Sequence, residues 1–322
     1  IGFYITQYLT INHKKLGIKS IIALDSFFLG DCPRWLKKLE EYFHPIIKIN
    51  KFILGTNDIS TIKGSKDVTH ILHMASIASP SFYRKYPLET IDANVWGLRN
   101  LLDFYKESIS LKSFVFFSSS EIYGDPDKDN IPTEETYRGL VSCTGPRACY
   151  DEAKRFGETL CVVYREKFNM PISIVRPFNN YGPGMNIYDK RLPADLAKCI
   201  KDNKDIILFS DGSPTRTFCY ISDAIVGFLK VLSNKHYTEF NIGMDSNEIS
   251  VFELAKHYKK IGFEKFNYKG NIIKKISKDP QYLKDNPNRR KPNIKKAREL
   301  LNYNPQIEIF VGIEKYLSFI FN

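Results

Sequence analysis

Short apolar runs alternate with helical stretches from Phe3 to Pro177, and this alternation constrains the fold more than any other feature of the chain. Phe3 to Lys15 reads as a helix and Ser20–Asp25 as a short buried strand. Lys48–Leu54 and Val68–Ala75 read as further strands, and Leu88–Glu107 as a helix. The run Phe114-Val-Phe-Phe-Ser-Ser-Ser-Glu121 is an apolar strand ending in hydroxyls and a carboxylate, and Ile172–Pro177 is another that ends in polar groups. Units of this kind predict an α/β fold, a doubly wound parallel sheet with right-handed crossovers. In such sheets ligands bind at the carboxyl ends of the strands. After Tyr181 the pattern loosens. Loop-rich segments at 182–191, 210–216 and 278–292 interrupt helices near Leu192–Asp202 and Ile221–Leu232. The expectation there is a smaller, irregular carboxy-terminal lobe.

Within that frame, Tyr150 and Lys154 stand four residues apart on a predicted helix and so share a face. A lysine ammonium there favours the phenolate, lowering the tyrosine from its usual value near 10 towards neutrality. Tyr150 is thereby a candidate general base for an alcohol proton. Taken alone, such a pair arises by chance among 19 tyrosines; the two flanking strand ends give it weight.

Composition narrows the function classes. The formal charge of +11 comes from lysines scattered along the whole length, without the stripe or motif of a nucleic-acid binder, and suits a phosphate-bearing cofactor and substrate. No apolar run is long enough to span a bilayer and no leader is visible, so the expected location is cytoplasmic. The six cysteines, Cys32, Cys143, Cys149, Cys161, Cys199 and Cys219, lack CxxC spacing, which predicts reduced thiols and no metal site.

Five blocks carry a family resemblance: Ser118–Pro126, Gly145–Arg155, Phe178–Pro183, Thr215–Asp223 and Asn288–Ile294. Together they resemble the extended short-chain dehydrogenase/reductases, the NAD-dependent nucleotide-sugar epimerases, dehydratases and decarboxylases, and within these the UDP-glucuronate decarboxylases. The resemblance implies a Rossmann-type domain over 1–180, a returning segment at about 215–245, and a substrate lobe from 181–214 and 246–322. The family's GxxGxxG turn is represented only by its last glycine, Gly2, which is expected to permit close helix–sheet packing. The first strand and two glycines are expected to precede Ile1.

The same resemblance assigns residues. Gly2, Asp25, Asp58, Ile59, Ala75, Ser76, Asn94 and Pro177 would join Tyr150 and Lys154 around NAD. Asp25 would accept from the ribose hydroxyls and Asp58 from the adenine amine, while His70 and His73 are packing residues. Ser119 or Ser120 would relay the sugar proton, although serines at a strand end also cap helices. Ser120-Glu121 lacks the acid of a dehydratase's Asp-Glu pair. Arg216 would hold a substrate carboxylate and Glu121 would orient the sugar or water. Asn179, Arg191 and Arg289 would hold the sugar and diphosphate. The implied partners are a nucleotide-sugar and a second copy of the chain, paired through Leu88–Glu107 and Tyr150–Phe168 in a four-helix interface. A 4-epimerase, a 4,6-dehydratase and an inactive nucleotide-binding protein remain the alternatives.

Overall fold

The computed structural model describes residues 1–279, 281 and 284–322. Its principal strands are β1 (Ile21–Asp25), β2 (Ile47–Lys51), β3 (His70–His73), β4 (Ser113–Phe117), β5 (Ile172–Pro177) and β6 (Glu239–Ile242). β1 pairs with β2, and a four-stranded sheet runs in the order β6-β5-β4-β3; every pairing is parallel. The helices used below are α1 (Gly2–Ile11), α2 (Arg34–Phe43), α3 (Gly97–Tyr105), α4 (Ala148–Phe168), α5 (Leu192–Lys201), α6 (Ile221–Ser233), α7 (Val251–Phe266) and α8 (Ile309–Phe321).

Strand β4 explains why the sheet is covered on both faces. Successive side chains of a strand point to opposite faces. Phe114 and Phe116 pack with Leu98, Leu101 and Leu102 of α3 and with Cys161 and Tyr164 of α4. Val115 and Phe117 belong to a second cluster with Ala224 and Phe228 of α6, and the Phe117 and Phe228 rings meet edge-on at 4.8 Å. A strand apolar at every position from Phe114 to Phe117 is what a doubly covered parallel sheet requires. The predicted doubly wound architecture is therefore present.

The helix predicted over Leu88–Glu107 is a run of three parts: Pro87–Ile91, a π-helical turn at Asp92–Trp96, and α3. At the π turn the buried Asn94 amide donates to Thr90 O (2.7 Å) and to Ser76 Oγ (3.0 Å), tying this helix to the loop after β3. The amino-terminal helix stops earlier than predicted, at Ile11, with a separate short turn at His13–Leu16. Beyond Tyr181 short strands are interspersed among α5 to α8, and β6 returns to the main sheet. Ile206–Leu208 pairs with Ile272–Lys274, and Thr215–Arg216 lies between Ile249–Ser250 and Arg289–Arg290. Among the described residues no helix is long and apolar enough to cross a membrane, and no group of three or more His, Cys, Asp or Glu side chains could hold a metal.

Candidate active site

The carboxyl ends of β1, β3, β4 and β5 open into one cleft of about 2890 Å³, lined by Asp25, Ala75, Ser76, Ser118 and Pro177 among others. That is several times the roughly 300–1,000 Å³ of a site for one small ligand. Ser118 Oγ is buried there with no hydrogen-bond partner among the described residues. Asp25 keeps one carboxylate oxygen on the Phe27 amide (2.7 Å) at the end of its strand. A dinucleotide fits these groups: an acidic strand end for ribose hydroxyls, and small residues Ala75 and Ser76 beside an unsatisfied hydroxyl.

Tyr150 and Lys154 sit in the first two turns of α4 and line the same cleft. The Ser119 hydroxyl hydrogen-bonds the Tyr150 phenol and also accepts from Glu121 N at 3.2 Å. Lys154 Nζ is buried 5.8 Å from the Tyr150 ring centre and donates to Phe117 O at 2.6 Å. The expected effect of this lysine is not met within the chain. Burial drives Tyr150 up to about 12, against the pull of the Ser119 hydrogen bond, with Glu121 and Asp151 pushing further up. Burial also drives Lys154 down, to about 7, so the ammonium is itself the disfavoured form. Desolvation opposes charge on both members of the pair and is the largest influence on each.

Beside them lies a cluster built around Glu121. Arg147 Nη2 and Arg290 Nη1 each contact one of its carboxylate oxygens. Burial raises the Glu121 carboxyl, but Arg147 and Arg290 outweigh it and hold the group well below the usual carboxylate range. Gly124 closes the turn after Glu121 with φ +63°; a Cβ there would run into the Leu140 carbonyl, so the turn demands glycine. Arg216 is buried and donates to Thr215 O (2.7 Å), Asn288 O (3.2 Å) and Pro287 O (2.5 Å). Among the described residues no carboxylate stands within ion-pair distance of Arg216. Burial and the neighbouring Arg290 and Arg147 charges lower it to about 10.

Several assigned residues are brought together here. Ser119, Ser120, Glu121, Tyr150, Lys154, Asn179, Arg191 and Arg216 all line the cleft, and so do Gly2, Ile59 and Pro177. Asn94 contributes through Ser76. Others fall elsewhere. Asp58 is fully exposed, lies off the cleft, and uses its carboxylate to cap its own turn through Ser60 N (2.8 Å) and Ser60 Oγ (2.6 Å). A Cβ on Gly2 would meet nothing within 4 Å among the described residues. His73 is buried against Phe114 and Phe116, as a packing residue should be, whereas His70 is exposed and its ring bonds the Thr69 hydroxyl at 2.9 Å.

Arg289 is the clearest correction. Its guanidinium forms a bidentate pair with Glu248 (2.7 and 2.9 Å) and stands outside the cleft, while Arg290 takes the cleft-facing place. Arg289–Arg290 is a strand, so neighbours must point to opposite faces. The parallel register sets Arg290 beside Arg216. The Arg-Arg pair was visible in the sequence; which of its members faces the site depends on that pairing.

Comparison with known proteins agrees with this geometry. The model of the NAD dependent epimerase/dehydratase family matches residues 2–243. UDP-glucuronic acid decarboxylase 6 of Arabidopsis thaliana is 33% identical over 317 residues, 97% of this chain and 83% of that protein. UDP-glucuronic acid decarboxylase 1 of the same plant is 33% identical over 300 residues, 92% of this chain, and this chain spans only 63% of its length. Among solved structures, UDP-glucuronic acid 4-epimerase from Bacillus cereus in complex with UDP-glucuronic acid and NAD has a TM-score of 0.79 at 25% identity, covering 97% of this chain and 94% of that one. A dTDP-glucose 4,6-dehydratase from Streptomyces venezuelae with NAD bound has a TM-score of 0.82 at 18% identity, covering 99% of this chain and 92% of that one, a likeness of fold.

Proposed function

The chain belongs to the NAD dependent epimerase/dehydratase family, and from that premise we propose that it decarboxylates UDP-glucuronate to UDP-xylose. The observation that carries this is the charge of the cleft: three buried arginines, Arg147, Arg216 and Arg290, converge beside Glu121 next to the Tyr150–Ser119 pair. A neutral hexose gives no reason to bury that surplus of positive charge; a substrate carboxylate does. The decarboxylases at 33% identity support the same substrate.

When bound, NAD supplies a hydride acceptor that later returns the hydride. Asp25, Ala75, Ser76 and Pro177 would hold it, with Lys154 and Tyr150 at its reactive end. The chain's own residues handle the proton. Ser119 and Tyr150 take it from the C4 hydroxyl and keep a hydrogen bond on that oxygen. A uronate with a ketone at C4 is a β-keto acid: the bond to its carboxylate breaks, CO₂ leaves, and the electron pair becomes an enolate on O4. Tyr150 would hold that oxygen, and one proton added at C5 completes the balance. Arg290, fixed by Glu121, and Arg216 hold the carboxylate until it departs, and Arg191 and Asn179 serve the remainder of the nucleotide-sugar.

The test is to incubate the protein with NAD and UDP-glucuronate and follow CO₂ and nucleotide-sugar products. CO₂ with UDP-xylose is expected, together with a fall of at least about a thousandfold in Tyr150→Phe. A product that is the C4 epimer of UDP-glucuronate, without CO₂, would refute decarboxylation and favour the epimerase reading that the Bacillus cereus likeness keeps open. We further propose pairing of two copies through Leu88–Glu107 and Tyr150–Phe168, supported by the exposure of Leu88, Trp96, Phe156 and Val163 on those helices. Light scattering of the purified protein reads that directly.

A further inference from the structure

Arg147 does not serve Glu121 alone. Its Nε lies 3.3 Å from Asp151 Oδ2 while its Nη2 contacts Glu121, so one guanidinium spans two carboxyl groups. Asp151 is buried and does not line the cleft; its side-chain hydrogen bond to the site runs through Arg147. Its second oxygen, Oδ1, is buried with no hydrogen-bond partner among the described residues. The Arg147 guanidinium stands 6.0 Å from the Tyr83 ring centre, and Tyr83 stacks on Tyr150 at 5.1 Å and 10°.

We propose that Asp151 is a positioning residue: its neutral carboxyl seats Arg147 against Glu121 beside the Tyr83–Tyr150 stack, and its ionisation weakens the site's hold on an anionic substrate. Charge counting gives the reason. With Asp151 neutral, Arg147, Arg290 and Glu121 sum to one positive charge, and Arg216 adds another. Ionising Asp151 removes one of the two. It would also leave a bare buried carboxylate oxygen, which is costly, and set a negative charge against any phenolate on Tyr150.

The groups facing Asp151 come from several elements: Glu121 from the turn after β4, Arg290 from the Arg289–Arg290 strand, Tyr83 from the Pro80–Lys85 helix, and Arg147, Cys149 and Tyr150 from the start of α4. Burial and the Glu121 charge push the Asp151 carboxyl up, and Arg147 and Arg290 offset only part of that; the balance lies well above the usual carboxylate range.

This deepens the uronate reading above and rests on it for the choice of ligand. The experiment measures UDP-glucuronate affinity by calorimetry at about pH 6 and pH 8.5 on the whole chain, wild type against Asp151→Asn, an isostere that cannot ionise. Lys154 loses its charge over the same range in both proteins, so the expected result is a difference: the wild type weakens about tenfold more than Asp151→Asn, about 1.4 kcal/mol. A second measurement needs no ligand: infrared difference spectra should show a protonated carboxyl in the wild type near pH 6 that is missing from Asp151→Asn. Parallel affinity curves, or no such band, overturn the inference even if CO₂ is released. A pH-dependent affinity difference without CO₂ release would sink the decarboxylase reading and leave the role of Asp151 standing.

Discussion

Replacing Lys154 with methionine should stabilise the cofactor-free chain at pH 7 while removing its chemistry. Burial lowers the Lys154 ammonium from 10.5 to about 7. A gap of roughly 3.5 in pKa corresponds to about 5 kcal/mol between protonation states, of which about 4 kcal/mol opposes folding at pH 7. Against this, methionine leaves Phe117 O without its 2.6 Å donor, a loss of about 1–3 kcal/mol. A net gain of about 2 kcal/mol remains, raising Tm by about 4 °C for a chain of this size. The pH dependence carries the sign. Between about 7 and 10.5 the unfolded lysine keeps its proton and the folded one does not, so wild-type stability rises with pH relative to the variant. The advantage of Lys154→Met should shrink by about 3 kcal/mol from pH 7 to pH 9.5, enough to reverse the ranking. Thermal melts by circular dichroism at the two pH values decide it. A wild-type-to-variant difference that stays the same at both would refute the reasoning, because burial would then not be suppressing the ammonium.

Arg290→Met, which strips a buried partner from Glu121, should lose about 3 kcal/mol in urea titrations and at least about a hundredfold in turnover; Arg289→Met, which breaks only the half-buried pair with Glu248 outside the cleft, should lose about 1 kcal/mol in the same titrations and leave turnover within about threefold. Gly157→Ala puts a Cβ 2.6 Å from Phe116 Cζ and should lose about 1–3 kcal/mol, read from the same titrations.

The doubly wound sheet was legible because its signal is local: apolar runs of strand length, each closed by polar residues and separated by helical stretches. The Tyr150, Lys154, Ser119 and Glu121 group was legible for a related reason, since helical spacing and a strand end fix those residues within a few positions. What escaped depends on non-local pairing. Arg289 and Arg290 are chemically alike and adjacent, and only the parallel register with Thr215–Arg216 tells which one enters the cleft. Asp58 had the right spacing, yet a serine two residues on captured its carboxylate. The effect of Lys154 on Tyr150 was misjudged because helical spacing reports proximity and says nothing of desolvation, the larger influence at this depth. Asp151 carried no signal of its own, being one more acidic residue in a helix until Arg147 and Glu121 closed around it.

The alternation along β4 has a consequence for how such a chain can diverge. Phe114 and Phe116 are claimed by one core, Val115 and Phe117 by the other, and Ser118 to Glu121 follow directly. Adding or deleting a single residue in this strand would exchange every side chain between the two cores and rotate the serines and glutamate away from Tyr150. Loops beyond Tyr181 can lengthen or shorten as substrates change, whereas the length of this one strand is frozen by packing and chemistry at once.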